Sequence, residues 1–446
     1  MVHKKREEVN FEKNAFGTKL KIHTKVIWYE NIEEDSISVF TRLNIGKIGL
    51  SNSELIKALF LNSSNFNLNF TEKNKPELER KQLEISIEWD NIENTLHNDR
   101  FWYFMSDEEK SNNRIEFIFD IISEKYENPQ NKYDNFFTFR FFNKKFINKT
   151  EKIIKENWEE IKNYFQRFYE WYLERNLYHK IGYLIYITDI TIQLLSKKFS
   201  EMTKSEFEIH LDDLIKKSLS NVEIDKLDYD DDYKDIKKVL LLYNILTVLQ
   251  NDKEDSKFPF DIFKNKNNGW DIEHITAKKD GIMPKREEDK KEWLKNVLPY
   301  IDSVDTNIDI TGINKENELE ESKKIKKRIN DCLKLSNRNF DEIFNDLFSD
   351  IIIYFKEDIG EDVDHISNLA LLDSNTNKSY KNAVFLVKRE TIIERDKNGR
   401  FIPICTKNVF LKYYTEYPPK FSFWTKEDRE KYKEDLKRVL EYYLEK

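Results

Sequence analysis

Apolar residues recur along most of this chain at three- and four-residue steps, the spacing of one face of an α-helix. The longest stretch of this kind covers residues 152–175, and two more cover 177–199 and 236–249. Shorter stretches cover 77–94 and 114–126. Because each stretch spans several helical turns, the pattern predicts a mainly helical middle region.

Two other patterns stand near the start of the chain. Residues 18–30 alternate apolar and polar positions and then become apolar, which predicts a β-strand. A helix is predicted over 35–44, and another begins at Ser51, where Glu54 completes a capping box. One strand and two short helices cannot close a core, so this piece is expected to pack on something else.

The last part of the chain mixes helical periods with short apolar runs. Residues 270–275 form an apolar run that predicts a strand, and 351–355 form a short buried segment. Residues 285–345 are highly charged and helical in pattern. A final helix is predicted to begin at Thr425, with Asp428 at its third position.

Three features of the middle region are interpreted as structural. The aromatic stripe over 158–172 has helical spacing, so we expect core packing rather than a platform for base stacking. His179 lies on an apolar helix without a partner motif, which favours a core or capping histidine over a catalytic one. The acidic run 225–235 is predicted to be an exposed loop.

Length and composition favour a large helical protein of two or three domains. The chain has 446 residues, 39% of them apolar, with only 9 glycines and 8 prolines. We place the domain limits at 1–62, 63–255 and 256–446. No apolar run is long enough for a membrane span, and no signal-peptide core follows Met1, so we expect a cytoplasmic location. Two distant cysteines cannot build a Cys-rich zinc site.

The charge distribution is uneven. The net charge is −8, which is unusual for a protein that binds nucleic acid. Residues 378–412, however, contain nine basic and three acidic side chains, a local net charge of +6. This segment is either a DNA-binding face or a solvated lysine-rich surface, and the sequence favours neither interpretation.

The first and middle regions resemble a known family. Residues 40–57 are similar to the end of the N-terminal module of GmrSD-type restriction endonucleases, and segments at 89–90, 101–102 and 177–184 resemble their helical middle region. In that family the module resembles a ParB or sulfiredoxin fold and carries an Asp-Gly-Gln-Gln-Arg motif for nucleotide hydrolysis. This motif is absent here. The resemblance therefore implies either a truncated remnant of the module or a separate protein partner that supplies nucleotide hydrolysis and docks on residues 1–62; we expect the partner.

The strongest resemblance lies in two segments about a hundred residues apart. Residues 270–275 followed by 366–382 resemble the HNH (His-Me finger) nuclease domain at the C-terminus of the same family. The fold class this implies is mainly α: a helical middle domain, plus a small ββα-metal nuclease core embedded in a helical C-terminal domain. The expected activity is cleavage of DNA phosphodiesters within a prokaryotic anti-phage defence system.

The resemblance assigns a role to each polar residue of the two segments. His274 would be the general base, Glu273 a metal ligand, and Asn368 the residue that organises the loop by hydrogen bonds. Asn377 would complete the site for one Mg²⁺ or Mn²⁺ ion, since hard cations prefer oxygen ligands. Asp271 shares a strand face with Glu273 and is an alternative ligand.

Residues at the end of the second segment and just after it are expected to hold DNA. They are Lys378, Lys381, Asn382, Lys388 and Arg389.

Because His274 must be unprotonated to act as the base, we expect activity to fall in acid near the ordinary histidine pKa of about 6.5.

One further hypothesis belongs to another class. The chain is alternatively a non-catalytic scaffold subunit with a degenerate HNH fold, which recruits DNA or a partner. A third hypothesis keeps the nuclease and makes RNA the substrate. One metal site of this kind cuts one strand at a time, so double-strand breaks by the nuclease would need two protomers of a homo-oligomer or two events. A last interpretation takes the polar residues of both segments as structural only.

Overall fold

The structure, a computed structural model, describes residues 50–66, 75–106, 113–147, 150–250, 255–263, 269–276, 283–303, 315–335, 339–355, 361–376, 383–414 and 424–444. The strand predicted over 18–30 and the helix predicted over 35–44 lie outside these residues. The described part is mainly helical, as the sequence predicts, with one two-stranded sheet among the described residues.

The helices before the sheet follow the apolar periods of the sequence. They are α1 (Asn52–Leu61), α2 (Lys75–Leu96), α3 (Asp99–Met105), α4 (Glu116–Ile122), α5 (Pro129–Lys132), α6 (Phe137–Lys145), α7 (Glu151–Leu173), α8 (Arg175–Ile187), α9 (Ile192–Phe199), α10 (Lys204–Ser218), α11 (Tyr229–Leu249) and α12 (Phe260–Phe263).

The described elements that follow are two strands, each followed by three helices. They are β1 (Trp270–His274), α13 (Glu287–Val297), α14 (Lys315–Leu333), α15 (Phe340–Tyr354), β2 (Leu369–Asp373), α16 (Phe385–Lys397), α17 (Ile404–Phe410) and α18 (Lys426–Leu444). A short 3₁₀ turn, Ile366–Asn368, leads directly into β2.

Local capping explains where several helices begin. Ser51 and Glu54 form the predicted capping box at the start of α1. The Thr425 hydroxyl accepts from the amide of Asp428 at the start of α18, as predicted. Such caps satisfy amides that have no partner within the helix.

Two predicted boundaries are wrong. The period over 177–199 breaks into α8 and α9, because Thr191 caps a new helix. The loop predicted over 225–235 is helical from Tyr229, because its acidic residues occupy the first turn of α11, where the helix dipole favours negative charge. The segment 351–355 was predicted to be buried, and Ile351, Ile352 and Phe355 are buried, with α15 ending at Tyr354.

The buried apolar side chains form one connected cluster from Leu55 to Tyr443. The aromatic stripe of α7 belongs to it, as predicted: Trp158 and Trp171 are buried, and Trp158 stacks on Trp89 at 5.9 Å between ring centroids. None of the helices in the described ranges combines the length and apolar character that crossing a membrane requires.

The sheet is an antiparallel pair of strands distant in sequence. His274 lies opposite Leu369 at one end, and Trp270 lies opposite Asp373 at the other. Helix α11 packs against both strands and against α17 and α18. The domain limit predicted at 255 thus falls just after a helix whose contacts extend into the C-terminal part, and the predicted limits stay predictions.

Side-chain hydroxyls donate hydrogen bonds to the outer edge of β2, the edge that faces away from β1. The Tyr432 hydroxyl on α18 donates to the carbonyl of Leu369 at 3.1 Å. The Thr406 hydroxyl on α17 donates to the carbonyl of Leu371 at 2.6 Å. Because buried carbonyls need partners, these bonds allow a strand edge to be buried under helices without a further strand.

Candidate active site

His274 is the last residue of β1 and lies at the edge of the core. Its Nε2 atom is 2.9 Å from Oδ1 of Asp364, and 18% of its side chain is exposed. The ring of Tyr229, in the first turn of α11, lies 4.6 Å from the imidazole between centroids. A carboxylate on one side and a phenol ring on the other thus orient the imidazole.

The partner of Nε2 determines which nitrogen can act as a base. A carboxylate only accepts hydrogen bonds, so Nε2 carries the proton of the neutral imidazole. The lone pair therefore lies on Nδ1. A histidine oriented in this way can accept a proton at Nδ1, while Asp364 stabilises the imidazolium that forms.

Asn368 joins the ends of the two strands. Its Oδ1 atom accepts from the amide and hydroxyl of Thr276, at 3.0 and 2.9 Å. Its Nδ2 atom donates to the carbonyls of Thr276 and Val363, at 2.9 and 2.8 Å. The side chain is fully buried, so these four bonds fix the chain just after His274 and just before Asp364.

Glu273 makes an ion pair rather than standing open at the site. Its Oε1 atom is 2.6 Å from Nζ of Lys388, and both side chains are buried. Burial raises the pKa of the Glu273 carboxyl, while the Lys388 ammonium acts in the opposite direction. This placement argues against two sequence-based assignments. Glu273 is already matched with a cation, and Lys388 cannot reach a phosphate from the interior.

Asp271, the alternative metal ligand, is half-buried beside α11. Its Oδ1 atom accepts from the Tyr233 hydroxyl at 2.7 Å and from the amide of Ile272 at 2.9 Å. Tyr233 stands one helical turn after Tyr229, whose ring contacts His274. One face of α11 therefore contacts both Asp271 and His274 of β1.

The basic segment 378–412 is less available than its composition indicates. Lys412 is buried and paired with Asp428, and Lys407 lies 2.7 Å from Asp396. Arg389, predicted to bind DNA, lies 2.7 Å from its neighbour Glu390. Only the Lys412 pair uses a carboxylate from outside the segment, so among the described residues these pairs occupy basic side chains but leave most of the local net charge in place. The predicted DNA contacts Lys378, Lys381 and Asn382 lie outside the described residues.

The sequence interpretation missed Asp364 and the two tyrosines of α11. Asp364 precedes Asn368 by four residues, and a carboxylate so close to a loop-organising residue was a usable signal. Tyr229 and Tyr233 carried no such signal, because they lie in the acidic run interpreted as a loop. Lys388 was singled out for its charge alone, since a sequence does not show burial.

A metal site is not assembled by the described residues alone. Among them, no three His, Cys, Asp or Glu side chains converge as a group that could hold a metal ion. The predicted ligand Asn377 lies outside the described residues, and its position is therefore untested.

Comparison with family models, with curated proteins and with solved structures found no match to this chain.

Proposed function

We propose that this protein is an endonuclease that hydrolyses DNA phosphodiesters with His274 as the general base. The observation that carries the proposal is the pairing of His274 Nε2 with Asp364 at the edge of the core. Asn368 supports it by fixing the backbone on both sides of this pair. A two-stranded sheet with the histidine at the end of its first strand is also what an HNH core requires.

The proposed reaction uses water as the nucleophile. Nδ1 of neutral His274 takes a proton from water, and the oxygen attacks the phosphorus of the scissile phosphodiester. The P–O3′ bond breaks, its electron pair stays on O3′, and that oxygen takes up a proton. Asp364 holds the imidazole in the tautomer that presents Nδ1 and stabilises the positive charge that develops on the ring.

The predicted divalent cation fits only part of its predicted ligand set. Glu273 does not fit, because its buried carboxylate is already paired with Lys388. Asp271 does fit, because hard cations prefer oxygen ligands. Its carboxylate accepts hydrogen bonds from a neutral phenol and a backbone amide, so these two bonds do not neutralise its charge as Lys388 does at Glu273. Asp271 and Asn377 are therefore the proposed ligands of one Mg²⁺ or Mn²⁺. Such an ion would neutralise charge on the scissile phosphate.

The biological setting of the proposal rests on the resemblance alone. It includes DNA as the substrate, a role in prokaryotic anti-phage defence, and a partner protein that hydrolyses nucleotides and docks on residues 1–62.

Calorimetry with Mg²⁺ or Mn²⁺, comparing the wild type with Asn377→Ala, tests the cation. Loss of binding in the variant would support Asn377 as a ligand, and unchanged binding would remove it.

A plasmid nicking assay tests the nuclease proposal. Wild type, His274→Ala and the exposed-histidine control His97→Ala are compared with Mg²⁺ or Mn²⁺, each with and without the product of the adjacent gene. We expect cutting by the wild type and the control, and none by His274→Ala. Cutting that requires the neighbouring protein would support a split enzyme.

A non-catalytic scaffold is the second candidate function. The Glu273–Lys388 ion pair favours it, because a carboxylate neutralised in the interior contributes little to catalysis. This candidate predicts DNA or partner binding by wild type and His274→Ala alike, with no cutting by either. Gel-shift and pull-down experiments on the same proteins separate the two candidates.

A further inference from the structure

Lys388 has a specific position at the sheet that its predicted role does not explain. It lies in the first turn of α16 and is 2% exposed. Its Nζ atom is 2.6 Å from Oε1 of Glu273 and 2.6 Å from the backbone carbonyl oxygen of His274. One ammonium group thus bonds two consecutive residues of β1, the second of which is the candidate base.

The geometry of the sheet explains why this carbonyl needs a partner. The amide of Ile275 donates to the carbonyl of Asn368 at 2.8 Å, so the cross-strand bonds fall on alternate residues from Ile275. The carbonyl of His274 therefore points away from β2. The far end of β1 has the same arrangement, where Lys237 donates to the outward carbonyl of Trp270 at 2.9 Å.

The two polar contacts of Lys388 reinforce each other. The Glu273 carboxylate supplies the negative charge that keeps a buried ammonium charged, because an unpaired charge in the interior is very costly. An ammonium is a compact donor with three hydrogens, so it can serve the carboxylate and the carbonyl together. The peptide plane of His274 is then held by α16, while Asp364 holds the imidazole.

We propose that Lys388 is a positioning residue for His274, with Glu273 as its counter-ion rather than as a metal ligand. Its ammonium fixes the backbone from which the imidazole projects, so that Nδ1 meets water at the scissile phosphate. The effect on cleavage rests on the proposed nuclease function. The effect on the backbone at the end of β1 does not.

Kinetics separate this role from a contact with DNA. In Lys388→Met, we expect kcat for plasmid nicking to fall on the order of 10²-fold, because small displacements of a catalytic group have effects of that size. KM for DNA and its dependence on salt should stay at wild-type values. Lys152→Met, an exposed lysine on α7 outside the basic segment, is the control and should change neither. A raised KM with unchanged kcat would overturn the proposal.

A double variant separates positioning from simple charge balance. Glu273→Gln combined with Lys388→Met removes both charges, so no unpaired charge remains in the interior. We expect its unfolding temperature to recover relative to the single variants, while kcat stays low because the His274 carbonyl still lacks its donor. Recovery of both quantities would show that the pair serves only to balance charge, and would overturn the proposal.

Hydrogen exchange tests the same inference without relying on cleavage. The amide of Ile275 belongs to the same peptide group as the His274 carbonyl that Lys388 holds. In Lys388→Met and in the double variant, this amide should therefore exchange faster than in the wild type. Amides within α7 should exchange at unchanged rates. Unaltered exchange at Ile275 in the double variant would refute the positioning role. Faster exchange in the two variants, together with a wild type that never cuts DNA, would uphold the positioning role and reject the nuclease.

Discussion

Two histidines show how the surroundings of a side chain decide its use. His179 is fully buried, with Nδ1 2.7 Å from the carbonyl of Arg175 and Nε2 accepting from the amide of Phe258 at 2.9 Å. These bonds fix its tautomer and leave it no reactive role. The structure therefore confirms the expectation of a core histidine. His274, in contrast, keeps part of its ring exposed and has a carboxylate partner.

The environment of His179 predicts a dependence of stability on pH. Burial lowers its pKa to about 4. Because the folded pKa lies below the unfolded value of about 6.5, protonation favours the unfolded chain, and stability is lost as the pH falls from about 6.5 towards 4. The full effect is at most about 3 kcal/mol in the free energy of unfolding.

Nuclear magnetic resonance of the imidazole nitrogens measures this pKa directly. We expect the His179 ring to remain neutral, with its proton on Nδ1, until the pH approaches 4. Titration of His179 near the ordinary histidine pKa of about 6.5 would contradict the structural assignment.

Sequence and structure agree unevenly at the residue scale. His274 and Asn368 could be singled out because their spacing resembles a motif, and both lie where the two strands meet. Asp364 could not be paired with His274 from sequence, since 90 residues separate them and only the fold brings the side chains together. Lys388 was misjudged, because charge in a sequence indicates surface until burial is known.

At the scale of elements, helix starts were predictable and helix interruptions were not. Capping boxes are local, so the start of α1 could be predicted from Ser51 and Glu54 alone. The break between α8 and α9 lies within a continuous apolar period, where only the cap at Thr191 signals a new helix. The outer edge of β2 depends on hydroxyls from two later helices, which no local pattern in the strand reveals.

Asn368 provides a test of the link between the strands. Asn368→Ala removes four hydrogen bonds in a buried site, which join the side chain to Thr276 and to the carbonyl of Val363. We expect the free energy of unfolding to fall by about 2–4 kcal/mol, because each unsatisfied buried group costs about 1–3 kcal/mol.

Chemical denaturation measures this loss, with Tyr432→Phe as the comparison. That substitution removes one hydroxyl bond to β2 and should cost only about 1 kcal/mol. Equal losses in the two variants would contradict the central place given to Asn368.

At the scale of the whole molecule, contacts run between the middle and C-terminal parts of the chain, and the predicted domain limits stay predictions. Helix α11 contacts both strands and both C-terminal helices. The tail of α18 reaches back to α10, where the Tyr443 hydroxyl donates to Asp212 at 2.7 Å. These contacts join segments that the predicted limit at 255 would divide. Helical periods predict elements well, but a domain limit depends on contacts between segments distant in the chain.

The continuous core predicts cooperative unfolding across that limit. Calorimetry of the full chain should give one main transition that includes α11 and the strands, because their apolar side chains belong to one cluster. Adding Lys388→Met should shift this transition as a whole. Two well-separated transitions, with α11 melting apart from the strands, would instead support the sequence-based division.

The central claim, that His274 and Asp364 act together as the base, is tested most directly by a double-mutant cycle in the nicking assay. Rates are measured for wild type, His274→Ala, Asp364→Asn and the double variant, under the conditions in which the wild type cuts. Because residues that act as a unit are not additive, we expect each single variant to lose most of the activity and the double variant to be no worse than His274→Ala. Wild-type cutting by Asp364→Asn, or by His274→Ala, would contradict the account.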